Sequence, residues 1–123
     1  MDILKTLLIL KNTLLYKKKT CFIKRTARNK SLLTVLTSTG LITFSLEVAQ
    51  YKVTISPVFL RTPLNMNISI KSSKKQVWSN KKIVREVQRS TTVFIFETSF
   101  GFSTQQGMLK KKIGGVLICS FSF

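Results

Sequence analysis

An α+β fold of two small lobes is predicted from three observations. Apolar residues recur at helical spacing in two stretches within the first 40 residues. β-Branched and aromatic runs dominate afterwards, closing in "VFIF" and "VLICSFSF". A proline-containing segment, "RTPLN" at 61–65, is the best candidate boundary between them. The expected division is an N-terminal α/β lobe, residues 1–65, with two helices packed on a short sheet. Residues 66–123 form a mostly β lobe with one helix.

Taken in order, "ILKTLLILKNTLL" at 3–15 places apolar residues at 3, 4, 7, 8, 10, 14 and 15. Lys5, Lys11 and Asn12 leave a polar side, so the stretch reads as an amphipathic helix of about three turns. Lysines interrupt it well before the roughly 20 apolar residues of a membrane span. It also lacks the small-residue cleavage site of a secretory signal. "YKKKTCFIKRTARNK" at 16–30 is the densest basic stretch, with "CFI" as a short strand inside it. "SLLTVLTSTGLI" reads as a helix ending at Gly40, with Leu32, Leu33, Val35 and Leu36 on its buried side.

"LITFSLEV" and "YKVTISPVF" follow as two strands, and Pro57 marks an edge or a strand end. "MNISIK" alternates through Met66, Ile68 and Ile70 as a half-buried strand does. "KQVWSN" is a further short strand. "KKIVREVQR" reads either as a short helix or as a loop holding one helical turn. "VFIF" at 93–96 is apolar on both faces, as in a strand covered on each side. Ser103 followed by Gln106 matches a capping box, so a helix is expected from there to about Lys112. Lys110, Lys111 and Lys112 suit its negative end, and Gly114 can stop it. "VLICSFSF" is the final strand.

Composition narrows the functions. The 123 residues carry 21 Lys+Arg against 4 Asp+Glu, a formal charge of +17, with 44% hydrophobic residues. That hydrophobic content supports a packed core, while the charge opposes compaction by self-repulsion. A polyanion that absorbs the repulsion is the first partner to expect. Nucleic acid fits best, and an anionic membrane surface is second. There is no histidine, and Asp2, Glu47, Glu86 and Glu97 are scattered. General acid–base chemistry, and a hydrolase or transferase built on Ser99 or Cys21, therefore lack their usual base. Two cysteines, Cys21 and Cys119, cannot make a zinc site unaided; a disulfide between them is conceivable, but each sits in an apolar run and reads rather as a reduced core residue. No cofactor and no small-molecule substrate are expected.

The loop Thr98-Ser99-Phe100-Gly101 carries the most local information. Short hydroxyls beside a glycine let another backbone come close. Ser103 and Thr104 lead into the helix start, whose free N–H groups suit phosphate or ribose oxygens. Phe100 offers a ring for base stacking. An ordinary strand-to-helix turn is the competing reading of the same residues.

On these residues the chain resembles the small-subunit ribosomal protein eight family. That family ends in a strand, a Ser-Thr-Ser-x-Gly loop, a hydrophobic pair with Thr or Ser, a helix, and Gly-Gly-Glu before a last strand. Here the counterparts are Glu97-Thr98-Ser99-Phe100-Gly101, Phe102-Ser103-Thr104 and Gly114-Gly115-Val116. The spacing matches from about Gln76 to the end, and again from residue 1 to about 44. There Lys11-Asn12-Thr13 looks like the family's Arg-Asn-Gly, and Gly40-Leu41-Ile42 like its Gly-Phe-Ile signal. Departures are Glu97 for the first loop serine and Val116 for the acid after Gly-Gly. Ser73-Lys74 and Gln76 stand for a Pro-Gly and an Arg, and Thr26-Ala27-Arg28-Asn29 for Ser-Lys-Leu-Lys.

The resemblance implies a structural constituent of the small ribosomal subunit and not an enzyme. It would bind the central domain of small-subunit rRNA, meet neighbouring ribosomal proteins, and support assembly and translation. The expected RNA-binding residues are Thr98, Ser99, Phe100, Gly101, Ser103 and Thr104 in the C-terminal lobe, with Lys110 and Lys111. In the N-terminal lobe they are Lys11, Asn12, Lys24, Arg25, Thr26 and Arg28, with Lys17, Lys18 and Lys19 adding phosphate neutralisation. Few acids and many Phe and Lys point to an organelle copy, mitochondrial rather than plastid. A match that begins at residue 1 implies no added leader. The alternative reading is a peripheral membrane-surface protein held by the basic amphipathic N-terminus, without stable insertion.

Overall fold

A computed structural model describes residues 2–57, 65–69, 76–89 and 92–122. It is α+β and divides into two compact units, residues 1–64 and 65–123. The first unit runs α1 (Asp2–Leu15), β1 (Thr20–Lys24), α2 (Ala27–Ser38), β2 (Ile42–Leu46) and β3 (Gln50–Ile55). The second runs β4 (Asn65–Ile68), β5 (Gln76–Trp78), α3 (Asn80–Arg89), β6 (Val93–Thr98), β7 (Gly101–Thr104), α4 (Gln105–Lys111) and β8 (Gly115–Ser122). Residues 61–64 of the expected boundary, Ile70, the Ser73-Lys74 turn, and 58–59 of the second strand reading lie outside the described residues.

In the first unit β3 is the central strand of an antiparallel sheet ordered β1-β3-β2. The two helices pack on this sheet. Ile23, Val53 and Ile55 of the sheet, Leu7 and Leu10 of α1, and Leu32, Leu33 and Leu36 of α2 are all buried. The apolar stripe of α1 differs from the one predicted. Leu8 and Leu15 are 46% and 66% exposed, while Thr6 and Thr13 are buried. A threonine sits comfortably inside when its hydroxyl has a partner. Thr13 Oγ1 donates to the Ile9 carbonyl one turn back, at 2.8 Å.

Thr6 reaches further. Its Oγ1 donates to Oδ1 of the buried Asn29 at 2.8 Å, and Asn29 Nδ2 donates to the Lys24 carbonyl at 2.9 Å. The Asn29 backbone N–H donates to Thr26 Oγ1, the N-cap of α2. One amide thereby ties α1, the end of β1 and the first turn of α2. The cap also explains why α2 begins at Ala27, earlier than its apolar run predicts. The far end matches expectation: Thr39 caps the helix and Gly40 takes φ +83°.

The second unit is organised by β8, which is antiparallel to all its partners. On one edge it pairs β5 through 115–117 and β4 through 119–122, and on the other it pairs β6. β6 in turn pairs β7. The stretch left between helix and loop is α3, whose Ile83 is fully buried. It joins Trp78, Phe96, Met108 and Leu117 in one core, with Trp78 tilted against Phe94 and Phe96 at 5.1 and 5.5 Å. Asn80 at the start of α3 donates to the Ile113 carbonyl at 3.2 Å, fastening this helix to the chain that follows α4.

Both cysteines are free buried thiols. Burial pushes Cys119 up to about 12. Burial also raises Cys21, against a smaller lowering by a hydrogen bond with Thr13. Among the described residues no helix is long and apolar enough to cross a membrane.

The Asn29 link is testable by urea unfolding. Asn29→Ala strands the Thr6 hydroxyl and the Lys24 carbonyl, and is expected to cost about 2–3 kcal/mol; Thr6→Val is expected to cost about 1 kcal/mol. Because the two share one bond, the double variant should lose less than the sum.

Candidate nucleic-acid interface

The loop singled out in the sequence is a β-hairpin tip, not a strand-to-helix turn. β6 and β7 pair from Ile95 opposite Thr104 to Thr98 opposite Gly101, leaving Ser99 and Phe100 as the loop. Thr98 clasps it. Its Oγ1 donates to the Gly101 carbonyl at 2.9 Å and accepts the Phe100 N–H at 3.0 Å. Neither loop residue takes positive φ, so the backbone correction for strand twist falls on Gly101 at φ +103°. Only glycine adopts that conformation freely.

The groups this leaves outward are Ser99, which is exposed, and Phe100, 71% exposed. Lys111 Nζ lies 5.1 Å from the centre of the Phe100 ring. A cation over an aromatic face stabilises that placement and keeps positive charge beside the tip. Lys110 and Lys111 occupy the last turn of α4, both exposed, as the sequence implied.

Two helix signals are corrected. The N-cap of α4 is Thr104, not Ser103: its hydroxyl accepts the Gly107 N–H. Strand pairing runs through Thr104, so the helix starts only at Gln105. Ser103 Oγ instead donates to the Thr104 carbonyl. At the other end Lys112, in the left-handed region at φ +56°, caps the helix in place of Gly114. The double glycine serves close approach. A Cβ at Gly114 would strike the Trp78 carbonyl, and one at Gly115 would crowd Met108 and the Glu97 carbonyl.

Gln105 is a contributor the sequence reading missed. Its amide accepts the Phe94 N–H and donates to the Thr92 carbonyl, both at 2.8 Å. It extends the edge of β6 beyond where β7 ends and so stiffens the base of the hairpin. Beside the tip opens a groove of about 600 Å3 lined by Trp78, Ser79, Glu97, Thr98, Ser99 and the Gly114-Gly115 step. Glu97, the departure from the family serine, thus stands at the groove wall.

The N-terminal residues form a separate set in the first unit. Lys24, Arg25 and Arg28 are exposed around the β1–α2 junction, and Thr26 is the half-buried N-cap between them. No acid occupies the first turn of α2. Cations at the positive end of a helix are favourable only when an anion joins them. Lys11 and Asn12 are exposed on α1, and Lys17, Lys18 and Lys19 are exposed after it.

A hydroxyl-and-aromatic fingertip flanked by cations, on a chain of +17 charge, defines a nucleic-acid-binding class. The family model for ribosomal protein S8 matches residues 2–121, and the chain belongs to that family. No curated protein matches it in sequence. Membership makes the chain a small-subunit ribosomal protein that binds rRNA, structural and not enzymatic.

The hairpin geometry makes a distinct prediction. A Cβ at Gly101 would meet nothing within 4 Å, so Gly101→Ala acts only through its backbone. It should cost about 1–2 kcal/mol of stability, and loosen Ser99 and Phe100. Thermal unfolding and amide exchange at the tip check both.

Proposed function

We propose that this chain binds the central domain of small-subunit rRNA through the β6–β7 hairpin, and supports subunit assembly and translation as a mitochondrial member of its family. The observation that carries the reading is the fastening of the tip. Thr98 uses its hydroxyl to close the loop, so Ser99 is presented at low conformational freedom. A pre-ordered hydroxyl forfeits less entropy on binding than a mobile one. It can donate to and accept from ribose hydroxyls, phosphate oxygens or base edges.

Phe100 adds a stacking face, and Lys110 and Lys111 add phosphate contacts. Thr98, Ser103 and Thr104 act mainly by holding the tip, since each hydroxyl already serves the chain itself. In the N-terminal unit, Lys24, Arg25 and Arg28 with the α2 N-terminus supply a phosphate seat. Lys11, Asn12 and Lys17 to Lys19 supply diffuse neutralisation. The organelle assignment is supported by composition: 21 Lys+Arg, 4 Asp+Glu and 9 Phe in 123 residues.

Ser99→Ala is expected to weaken binding to a central-domain rRNA fragment by about 1–3 kcal/mol. Lys18→Ala should cost less, and mainly at low salt. Filter binding at two salt concentrations separates them, and equal losses would remove the special role of the tip. Co-sedimentation with small subunits from purified mitochondria is expected. Absence from those fractions would refute the assignment to that organelle.

A further inference from the structure

The first unit carries a second feature that the hairpin does not explain. Its three-stranded sheet has helices on one face only, and the cross-strand register defines what the other face presents. Phe22, Lys52 and Ser45 form one row across β1, β3 and β2. Thr20, Thr54 and Thr43 form the next. Lys24 lies opposite Gln50 at the third level. None of these residues is buried.

An open antiparallel face is ordinarily polar throughout. Phe22 breaks that rule at 51% exposed. It stands between hydroxyls on one side and a lysine on the other. The strand positions on this face hold no carboxylate; Glu47 lies beyond β2, in the connection to β3. A protein partner's apolar patch would gain little from a single ring ringed by cations and hydroxyls. A nucleic-acid strand matches every component. The ring stacks on a base, Lys24 and Lys52 neutralise phosphates, and the threonines and Ser45 meet 2′-hydroxyls.

We infer that the open face of the β1-β3-β2 sheet is a second RNA site, a platform for an unpaired segment in which Phe22 stacks on a base. It rests on the reading of the chain as an RNA binder, but not on the hairpin. Base–aromatic stacking tolerates sequence, so the platform takes unpaired nucleotides of any identity. Stacking releases no counterions, whereas each lysine contact does.

The test uses the full chain and a labelled single-stranded RNA oligonucleotide without secondary structure, followed by fluorescence anisotropy across a salt series. Phe22→Ala is expected to weaken binding about tenfold at every salt concentration. The salt dependence should stay parallel to that of the unchanged chain. Phe22→Tyr should restore most of the affinity, and Lys52→Ala should flatten the salt dependence. Ser99→Ala should weaken a structured central-domain fragment more than it weakens this probe, whereas Phe22→Ala should show the reverse order. Thermal unfolding of the Phe22 variants confirms that they remain folded, and the tyrosine variant keeps the test decisive if the alanine variant does not. Equal oligonucleotide binding by the unchanged chain and Phe22→Ala would overturn the platform and leave the hairpin reading standing. No binding of the oligonucleotide by the unchanged chain would also overturn it. Loss of the structured fragment as well would take down the rRNA reading with it.

Discussion

Charge imbalance governs how this chain can be held together. With 21 cations and 4 carboxylates, ion pairing cannot organise the fold, because most cations have no possible partner. Neutral groups therefore do the polar fastening. Thr6 and Asn29 join α1 to α2 and to the end of β1. Asn80 ties α3 to the residues after α4, and Gln105 extends the sheet edge. Thr26, Thr98 and Thr104 close a helix start, a hairpin and a second helix start. Hydroxyls and amides cost less to bury than charges and need only one or two partners each.

That division leaves no lysine or arginine buried among the described residues, and their mutual repulsion is relieved by salt and, more locally, by a bound polyanion. The same hydroxyl chemistry that fastens the core also shapes the hairpin tip proposed for recognition. Thr98 faces inward to its own loop, and its neighbour Ser99 faces solvent. One residue holds and the next presents, which is how a short loop becomes a rigid one. The S8 family match over residues 2–121 makes rRNA the partner of the chain, and the +17 charge gives the chain long-range attraction to it.

Several local signals were legible but displaced by pairing. The capping signal at Ser103 was real in kind, yet β7 continues through Thr104 and moves the cap one residue on. Gly114 looked like a helix stop. The stop is Lys112, and the glycine instead admits the Trp78 carbonyl. The helix starting at Ala27 was missed over its first turn because Ala27-Arg28-Asn29-Lys30 shows no apolar periodicity. Its signal was the N-cap threonine three residues before a buried asparagine.

Read alone, the sequence already established the α+β class, the helical and strand periods, the charge, the lack of histidine and the hydroxyl loop. These depend on residues near one another in the chain, where period, capping and composition act directly. Only the tertiary structure decided that Thr6 finds Asn29, that Gln105 completes β6, that the loop is a hairpin, and that Phe22 stands alone on an open sheet face. Each of those rests on partners brought together across the chain by strand register and core packing, and neither leaves a periodic trace in the sequence.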